Sequence, residues 1–186
     1  AWLKKHLEDR FEMKTVLVGP SEEPGVVREA KILNRVVRAN SAGSEYECDK
    51  RHVEIILEHL QLTEAKALST PGVEEATAKN SEDDAEIPLS APEVSLYRAV
   101  VARANYIFQD RPDLQYAVKE LCRRMSDPSE ASMMKLKRLG SYLKGQPRVV
   151  SLFPWQESQQ CIDVYTDANW AGCRASRKST SGGAIL

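Results

Sequence analysis

The stretch LYRAVVARANYIFQDRPDLQYAVKELCRRM, residues 96–125, contains two helical patterns separated by a break. Apolar residues recur on one face at helical spacing, which predicts a helix over about residues 93–108. The sequence QDRPD ends this helix, because the residue before Pro112 disfavours the helical backbone conformation. The second pattern predicts a helix over residues 113–125. The expected core residues of the two helices are Leu96, Val100, Ile107, Leu114, Val118, Leu121 and Met125.

A third helix is predicted to begin at DPSE, residues 127–130. Asp127 can serve as its N-cap, Pro128 suits the first helical position, and Glu130 can reach back as in a capping box. Gly145 is a natural residue at which to end it. Its expected core residues are Leu136, Leu139 and Leu143.

After Gly145 the apolar residues alternate with polar ones, which predicts strands. The three predicted strands are 148–153, 161–167 and 181–186. Upstream, residues 30–38 and 44–48 flank ANSAG and predict a β-hairpin. Further helices are predicted over 2–12 and 50–60, the latter with Asp49 as N-cap. The fold class is therefore α+β, with a helical middle, a β-hairpin upstream and β segments at the C-terminus.

Composition bounds the class of protein. The chain has 186 residues, with 26 basic and 27 acidic side chains, so the net charge of −1 argues neither for nor against a nucleic-acid partner. The four cysteines form no CxxC pair, which favours reduced thiols in an intracellular protein, cytoplasmic or nuclear. No apolar run of about 18 residues predicts a membrane helix.

Charge is distributed unevenly along the chain. Eleven basic and five acidic residues lie between Arg98 and Arg148, a local balance of +6. Such a surface can track the phosphates of a nucleic-acid duplex; the alternative is a solvated outer face of the helices. The candidate nucleic-acid-binding residues are Arg123, Arg124, Lys135, Lys137, Arg138 and Lys144, with Arg177 and Lys178 in a basic turn further on.

The strand predicted at 161–167 ends on a carboxylate, Asp167, followed by the turn-like sequence DANWAG. A carboxylate at a strand end can bind a hard cation such as Mg²⁺ through oxygen when other carboxylates join it. The alternative is that Asp167 caps the turn, which is a common role of aspartate. The spacing alone does not choose between them.

Several short motifs, in order, resemble copia-type retrotransposon Pol polyproteins. YTDANWAG with SRKSTSG is similar to the start of their ribonuclease H segment, and residues 97–145 resemble the segment between reverse transcriptase and ribonuclease H. LEDRFEMK and LSTPG resemble pieces that follow the polymerase active site. The matching marks are Tyr97-Arg98, Arg111-Pro112-Asp113, Ala117-Val118, Met125, Pro128, Lys137-Arg138 and Tyr142-Leu143-Lys144-Gly145. The chain departs from the pattern at Ala102, where the family usually has glycine.

The resemblance implies a domain organisation. Residues 1–72 would be the thumb-like end of reverse transcriptase, 73–92 an acidic linker, 93–147 a helical connection, and 148–186 the first strands of an incomplete ribonuclease H-like sheet. Residues 74–93 hold seven acids and one base, which suits a linker. Both ends fall inside periodic patterns, so we expect a piece of a longer polypeptide, with the strand at 181–186 exposing an edge.

The resemblance also implies a function. The partners would be a template–primer duplex or RNA–DNA hybrid and the rest of the Pol polyprotein. Asp167 would be the first metal-binding and catalytic aspartate of ribonuclease H, with Mg²⁺ as cofactor. That chemistry uses two metal ions held by several carboxylates. The polymerase aspartates and the later nuclease acids are not among these residues, so we expect no nuclease or polymerase activity from this chain alone.

Two other classes of protein stay open at the level of sequence. One is a nucleic-acid-binding protein that derives from such an element and is no longer catalytic. The other is a helical protein-interaction module whose resemblance is incidental.

Overall fold

A computed structural model describes residues 2–72, 87–157, 161–173 and 176–186 of the chain. The helices are α1 (Trp2–Glu8), α2 (Arg51–His59), α3 (Ala91–Ile107), α4 (Gln115–Cys122) and α5 (Glu130–Gly145). The strands are β1 (Leu17–Val18), β2 (Val26–Val27), β3 (Glu29–Ile32), β4 (Arg35–Ala39), β5 (Gly43–Glu47), β6 (Val150–Pro154), β7 (Val164–Ala168) and β8 (Ser181–Ile185). The architecture is thus mixed α+β, and it divides into two compact units, residues 1–153 and 154–186.

Helices α2 to α5 share one hydrophobic core in the first unit. The core residues without exposed surface include Ile56, Ile107, Leu114, Val118, Leu136, Leu139 and Leu143. Gly140 of α5 lies so close to the chain after α2 that an added Cβ would stand 2.5 Å from Leu62 Cδ1. The core therefore includes helices from both sides of the linker predicted at 73–92. The assignment of this linker as a boundary between domains stays a prediction. Most of that linker, residues 73–86, lies outside the described residues.

Helix α3 begins and ends where local chemistry requires. Ser90 is its N-cap and forms a reciprocal capping box with Glu93, so the helix begins at Ala91, two residues before the predicted start. At the other end Arg111 takes a non-helical conformation, with φ −129° and ψ 82°, in keeping with the restriction on a residue before proline. Short 3₁₀ turns at 108–110 and 112–114 then lead into α4.

Helix α5 begins later than the sequence predicted. Its N-cap is Ser129, whose side chain accepts a hydrogen bond from the Ser132 backbone N–H, whereas Asp127 and Glu130 do not form the predicted capping box. Residues 87–89 explain the shift. Leu89 N–H donates to the Pro128 carbonyl at 3.4 Å, and Glu130 N–H donates to the Ile87 carbonyl at 2.9 Å. This pairing holds Ser129 extended, immediately before the helix begins.

The upstream sheet has four strands in the order β3-β4-β5-β6. The single strand predicted at 30–38 is wrong, because the chain reverses at Leu33 and Asn34, which have φ values of 49° and 64°. A two-residue hairpin turn with both φ values positive usually contains glycine. Neither Leu33 nor Asn34 is glycine, so the sequence pattern did not indicate the turn. The ANSAG segment forms the next turn, where Asn40 Oδ1 accepts backbone N–H groups from Ala42 and Gly43.

Strand β6 lies elsewhere than predicted. The sequence grouped residues 148–153 with the C-terminal strands, but β6 pairs with β5 at the edge of the upstream sheet. The alternating pattern predicted this strand correctly, but it did not indicate the strand with which it pairs.

One face of the upstream sheet contacts the helices through the Asp110 cluster, which consists of Arg35, Tyr46 and Asp110. Asp110 follows α3 and receives hydrogen bonds from Arg35 Nε at 2.7 Å and from the Tyr46 hydroxyl at 2.9 Å. Tyr106 adds to this contact, since its hydroxyl donates to the Leu33 carbonyl at 3.3 Å. Polar contacts therefore hold the sheet against α3.

The second unit is an antiparallel hairpin of β7 and β8, in which Asp167 pairs with Gly182. Every residue of both strands is exposed. The large exposed hydrophobic residues of this unit are Trp155, Ile162, Val164, Tyr165, Trp170, Ile185 and Leu186. The expectation of a poorly packed C-terminal β segment thus holds for its described residues.

Candidate nucleic-acid interface

Three of the residues that mark the family resemblance form a buried polar group, the Arg111 network. Arg111 is fully buried, and it donates to Asp113 through Nε at 2.9 Å and Nη2 at 2.7 Å. Its Nη2 also reaches the Gln146 carbonyl at 3.0 Å, and the Tyr142 hydroxyl donates to Asp113 at 2.8 Å. Burial would raise the pKa of Asp113, but the hydrogen bonds from Arg111 and Tyr142 outweigh it and lower that pKa. The three residues Arg111, Asp113 and Tyr142 therefore hold the start of α4 and the end of α5 together.

The pair Tyr97-Arg98, near the middle of α3, acts in the same way. The buried Tyr97 hydroxyl donates to the Leu121 carbonyl at 2.8 Å, and burial raises the pKa of Tyr97 to about 12. Arg98 donates to the carbonyls of Met125 and Ser126 at 2.8 and 3.1 Å. Both side chains hold the end of α4 against α3, which is a structural role.

The candidate basic residues of the helices fall into two groups. Arg138 donates to Thr70 Oγ1 at 2.7 Å, and Lys144 Nζ donates to the Thr63 carbonyl, so both fasten the 63–70 segment to α5. The other four are exposed side chains at the end of α4 and along α5. They are Arg123, Arg124, Lys135 and Lys137.

Lys135 and Arg138 also line a narrow cleft with Glu120 and Tyr116 of α4. Arg123 is partly neutralised, because its Nη1 lies 3.3 Å from the Glu120 carboxylate. The structure thus brings part of the predicted set together on neighbouring helices. Arg177 and Lys178 belong to the other unit, in the connection between β7 and β8, and both are exposed.

Asp167 lies in β7 with its side chain exposed. Within residues 2–72, 87–157, 161–173 and 176–186, no group of three His, Cys, Asp or Glu side chains could hold a metal ion. Asp163 precedes Asp167 by four residues, and at roughly 3.3 Å per residue the two are about 13 Å apart along the chain. Mg²⁺ holds its oxygen ligands at about 2.1 Å, so these two carboxylates cannot share one ion. The described residues do not fit a two-metal site.

A second charged site, which the sequence did not indicate, lies on the other face of the upstream sheet. We name it the basic pocket. It has a volume of about 380 Å³ and opens beside the start of α2. Five basic and two acidic side chains line it: Lys31, Arg38, Lys50, Arg51, Arg148, Glu47 and Asp49.

Two buried carboxylates fix the arginines of the basic pocket. Glu47 accepts hydrogen bonds from Arg148 Nη2 and Arg38 Nη1, both at 2.9 Å. The bond from Arg148, followed by that from Arg38, lowers the pKa of Glu47 to about 2. Asp49 accepts a bond from Arg51 Nε at 2.9 Å, and Arg51 lowers the pKa of Asp49 to about 2. Both carboxylates are therefore ionised at neutral pH.

The basic pocket was missed because its members are spread from residue 31 to residue 148. The register of the sheet brings them together: Lys31 lies opposite Val36, and Val36 lies opposite Glu47. Since side chains alternate between the two faces of a strand, Lys31, Arg38 and Glu47 share one face. Once the turn at Leu33 is known, the alternation alone would place them there.

Glu47 makes stability depend on pH, and its sign follows from the lowered pKa. A carboxylate whose pKa falls from 4.5 to about 2 on folding stabilises the fold above pH 4.5, and this contribution is lost as the pH falls toward 2. We expect about 1–2 kcal/mol, less than the full pKa difference implies, because water screens the half-exposed Arg148. Urea unfolding between pH 7 and pH 2 should show Glu47→Gln less stable at pH 7 and less pH-dependent below 4.5. Parallel curves for the two proteins would contradict this expectation.

Comparison with known proteins supports the resemblance. No family model matches the chain, and no solved structure matches it. An uncharacterized mitochondrial protein of Arabidopsis thaliana is 31% identical over 132 residues, which cover 71% of this chain and 52% of that protein. The retrovirus-related Pol polyprotein from transposon RE1 of the same plant is 36% identical over 86 residues, which cover 46% of this chain and 6% of the polyprotein. The corresponding polyprotein from transposon TNT 1-94 of Nicotiana tabacum is 27% identical over 192 residues, 98% of this chain and 13% of the polyprotein.

The relatives of this α+β chain include polyproteins of plant transposons. It is similar to copia-type retrotransposon Pol polyproteins, which confirms the resemblance predicted from its motifs. The chain spans about half the length of the mitochondrial relative and a small part of each polyprotein. None of its described helices has the length and apolar character needed to cross a bilayer.

Proposed function

We propose that this chain is the part of a retrotransposon Pol polyprotein that contacts a template–primer duplex or an RNA–DNA hybrid. The observation that carries the proposal is the local charge: residues 98–148 have a balance of +6 in a chain whose net charge is −1. The contact would take place inside the cell, in the cytoplasm or the nucleus, where the rest of the polyprotein is also a partner.

The exposed basic residues of α4 and α5 support this proposal. Lys135 and Lys137 are exposed in a helix whose opposite side is buried in the core. Arg138 and Lys144, by contrast, bond to the 63–70 segment. Basic side chains on a rigid helix can follow the phosphate backbone without reading its sequence.

Asp167 has a separate part in the proposal. By its place at the end of the strand predicted over 161–167, it would be the first metal-binding aspartate of a ribonuclease H, with Mg²⁺ as the ion. The described residues alone do not complete such a site. Other carboxylates would have to join Asp167 before hydrolysis of a phosphodiester could follow.

The salt dependence of binding tests the proposal. The 186-residue chain should bind a fluorescein-labelled RNA–DNA hybrid of about 20 base pairs at low salt, with an affinity that falls steeply as salt rises. Each phosphate contact contributes about −0.9 to the slope of log K against log salt, so the Lys135→Ala/Lys137→Ala variant should reduce that slope by about 2. Fluorescence anisotropy between about 25 and 300 mM salt measures the slope.

A matched control variant is Lys5→Ala/Lys14→Ala, which removes the same charge from two exposed lysines near the N-terminus. Its slope should stay close to that of the unchanged chain. Absence of binding at low salt, or a flat dependence on salt, would remove the proposal and favour a protein-interaction module.

A further inference from the structure

We propose that the basic pocket, formed by Lys31, Arg38, Lys50, Arg51 and Arg148, binds a phosphate group of a nucleic-acid backbone. This inference rests on the proposed function and deepens it, because it adds a second point of contact outside α4 and α5. The pocket lies on the face of the upstream sheet opposite to the Asp110 cluster, so it takes no part in holding the sheet against α3.

The arginines of the pocket retain hydrogen-bond donors. Arg148 uses Nε and Nη2 on Glu47, which leaves Nη1 without a partner among the described residues. Arg38 donates to Glu29 through Nε and to Glu47 through Nη1. Its Nη2 likewise has no partner among the described residues. A guanidinium group carries five N–H donors in a fixed fork that matches the oxygens of a phosphate.

The charge of the pocket also favours an anion. Its five cations exceed its two carboxylates by three charges, or by two when Glu29, which accepts a bond from Arg38 Nε, is included. Lys31 and Lys50 are exposed and form no ion pair within the part of the chain that the structure describes. The two carboxylates are already occupied by arginines, so their charge is largely neutralised before a ligand arrives.

Glu47 and Asp49 organise the pocket in advance. Their side chains are 7% and 6% exposed, so they lie at its floor. Each holds an arginine whose own side chain is more than half exposed, 56% for Arg148 and 59% for Arg51. A group whose orientation is fixed before binding loses less conformational entropy on binding, which strengthens the contact.

The lining points to the backbone of a polymer rather than to a nucleotide. No aromatic side chain is among the residues that line the pocket, so it offers no surface on which a base could stack. The exposure of Arg148 and Arg51 leaves the pocket open to a long strand. The shared chemistry is that of a phosphate, and a free polyphosphate is the alternative source.

The test uses Lys31→Glu/Lys50→Glu, which reverses the two pocket charges that support no other contact. Its control, Lys5→Glu/Lys14→Glu, makes the same change in net charge near the N-terminus. The probes are the labelled RNA–DNA hybrid and inorganic tripolyphosphate, with anisotropy for the first and calorimetry for the second. We expect the pocket variant to bind the hybrid at least about tenfold more weakly at 100 mM salt, and the control to change less than about threefold.

The outcomes separate the two proposals. If the unchanged chain binds the hybrid and the pocket variant binds it no more weakly than the control, the pocket inference is overturned and the proposed function stands. If the unchanged chain does not bind the hybrid, both proposals fail. If the pocket variant loses only tripolyphosphate binding, the pocket belongs to free phosphate compounds, which overturns its assignment to nucleic acid.

Discussion

Replacing Arg111 by alanine is expected to lower the free energy of unfolding by about 3–5 kcal/mol, because one partner of a buried ion pair is removed. Arg111 is fully buried and holds Asp113 through two hydrogen bonds. Without it, Asp113 keeps only the Tyr142 hydroxyl as a side-chain donor, and the Gln146 carbonyl at the end of α5 loses its contact. Urea unfolding followed by circular dichroism measures the loss.

Two further variants keep this prediction testable if Arg111→Ala yields little folded protein. Arg111→Lys retains the charge but loses the planar set of guanidinium N–H donors, so it should be less destabilising than Arg111→Ala. A double-mutant cycle with Asp113→Ala should give a coupling of about 0.5–3 kcal/mol, as residues in one network do. The control, Arg10→Ala, removes an exposed arginine and should change stability by less than about 0.5 kcal/mol. An equally small effect at Arg111 would show that the network does not hold the helices.

Replacing Asp110 by alanine is the second large effect, a loss of about 2–4 kcal/mol. Asp110 is nearly buried and is the acceptor for both Arg35 and the Tyr46 hydroxyl. Its removal leaves the partly buried Arg35 without its ion-pair partner, although water can reach that side chain more easily than it reaches Arg111. The loss should appear in urea unfolding and in faster hydrogen exchange of the β4 and β5 amides.

The matched control for Asp110→Ala is Asp127→Ala, an exposed aspartate in the turn before α5. It should change stability by less than about 0.5 kcal/mol. Tyr46→Phe should reproduce a part of the Asp110 loss, since only one of the two hydrogen bonds is removed. If hydrogen exchange in β4 and β5 stays unchanged in Asp110→Ala, the sheet is held to the helices by other contacts.

The helical core was predictable from sequence because helical periodicity is a local property. Val100, Ile107 and Leu114 were placed in the core from spacing alone, and all three are buried. The errors lie where a distant contact overrides local preference. Pairing with residues 87–89 moved the start of α5 from Asp127 to Ser129, and no local signal contains that pairing.

The candidate site was predictable only in part, for the same physical reason. A charge count along the chain finds Lys135 and Lys137, which lie in one helix. It cannot find the basic pocket, because strand register and the pairing of β6 with β5 decide which of its residues meet. It also cannot separate Arg138, which is bonded to Thr70, from a side chain that is available to a ligand.

The position of Arg111, Asp113 and Tyr142 inside the protein affects how relatives of this chain can be searched for. A genome survey that used these three residues as its query would collect sequences able to fold, because the side chains bond to one another and not to a substrate. Such a survey would count inactive and active copies of the element alike. Separating them would need a query drawn from residues that touch nucleic acid or metal.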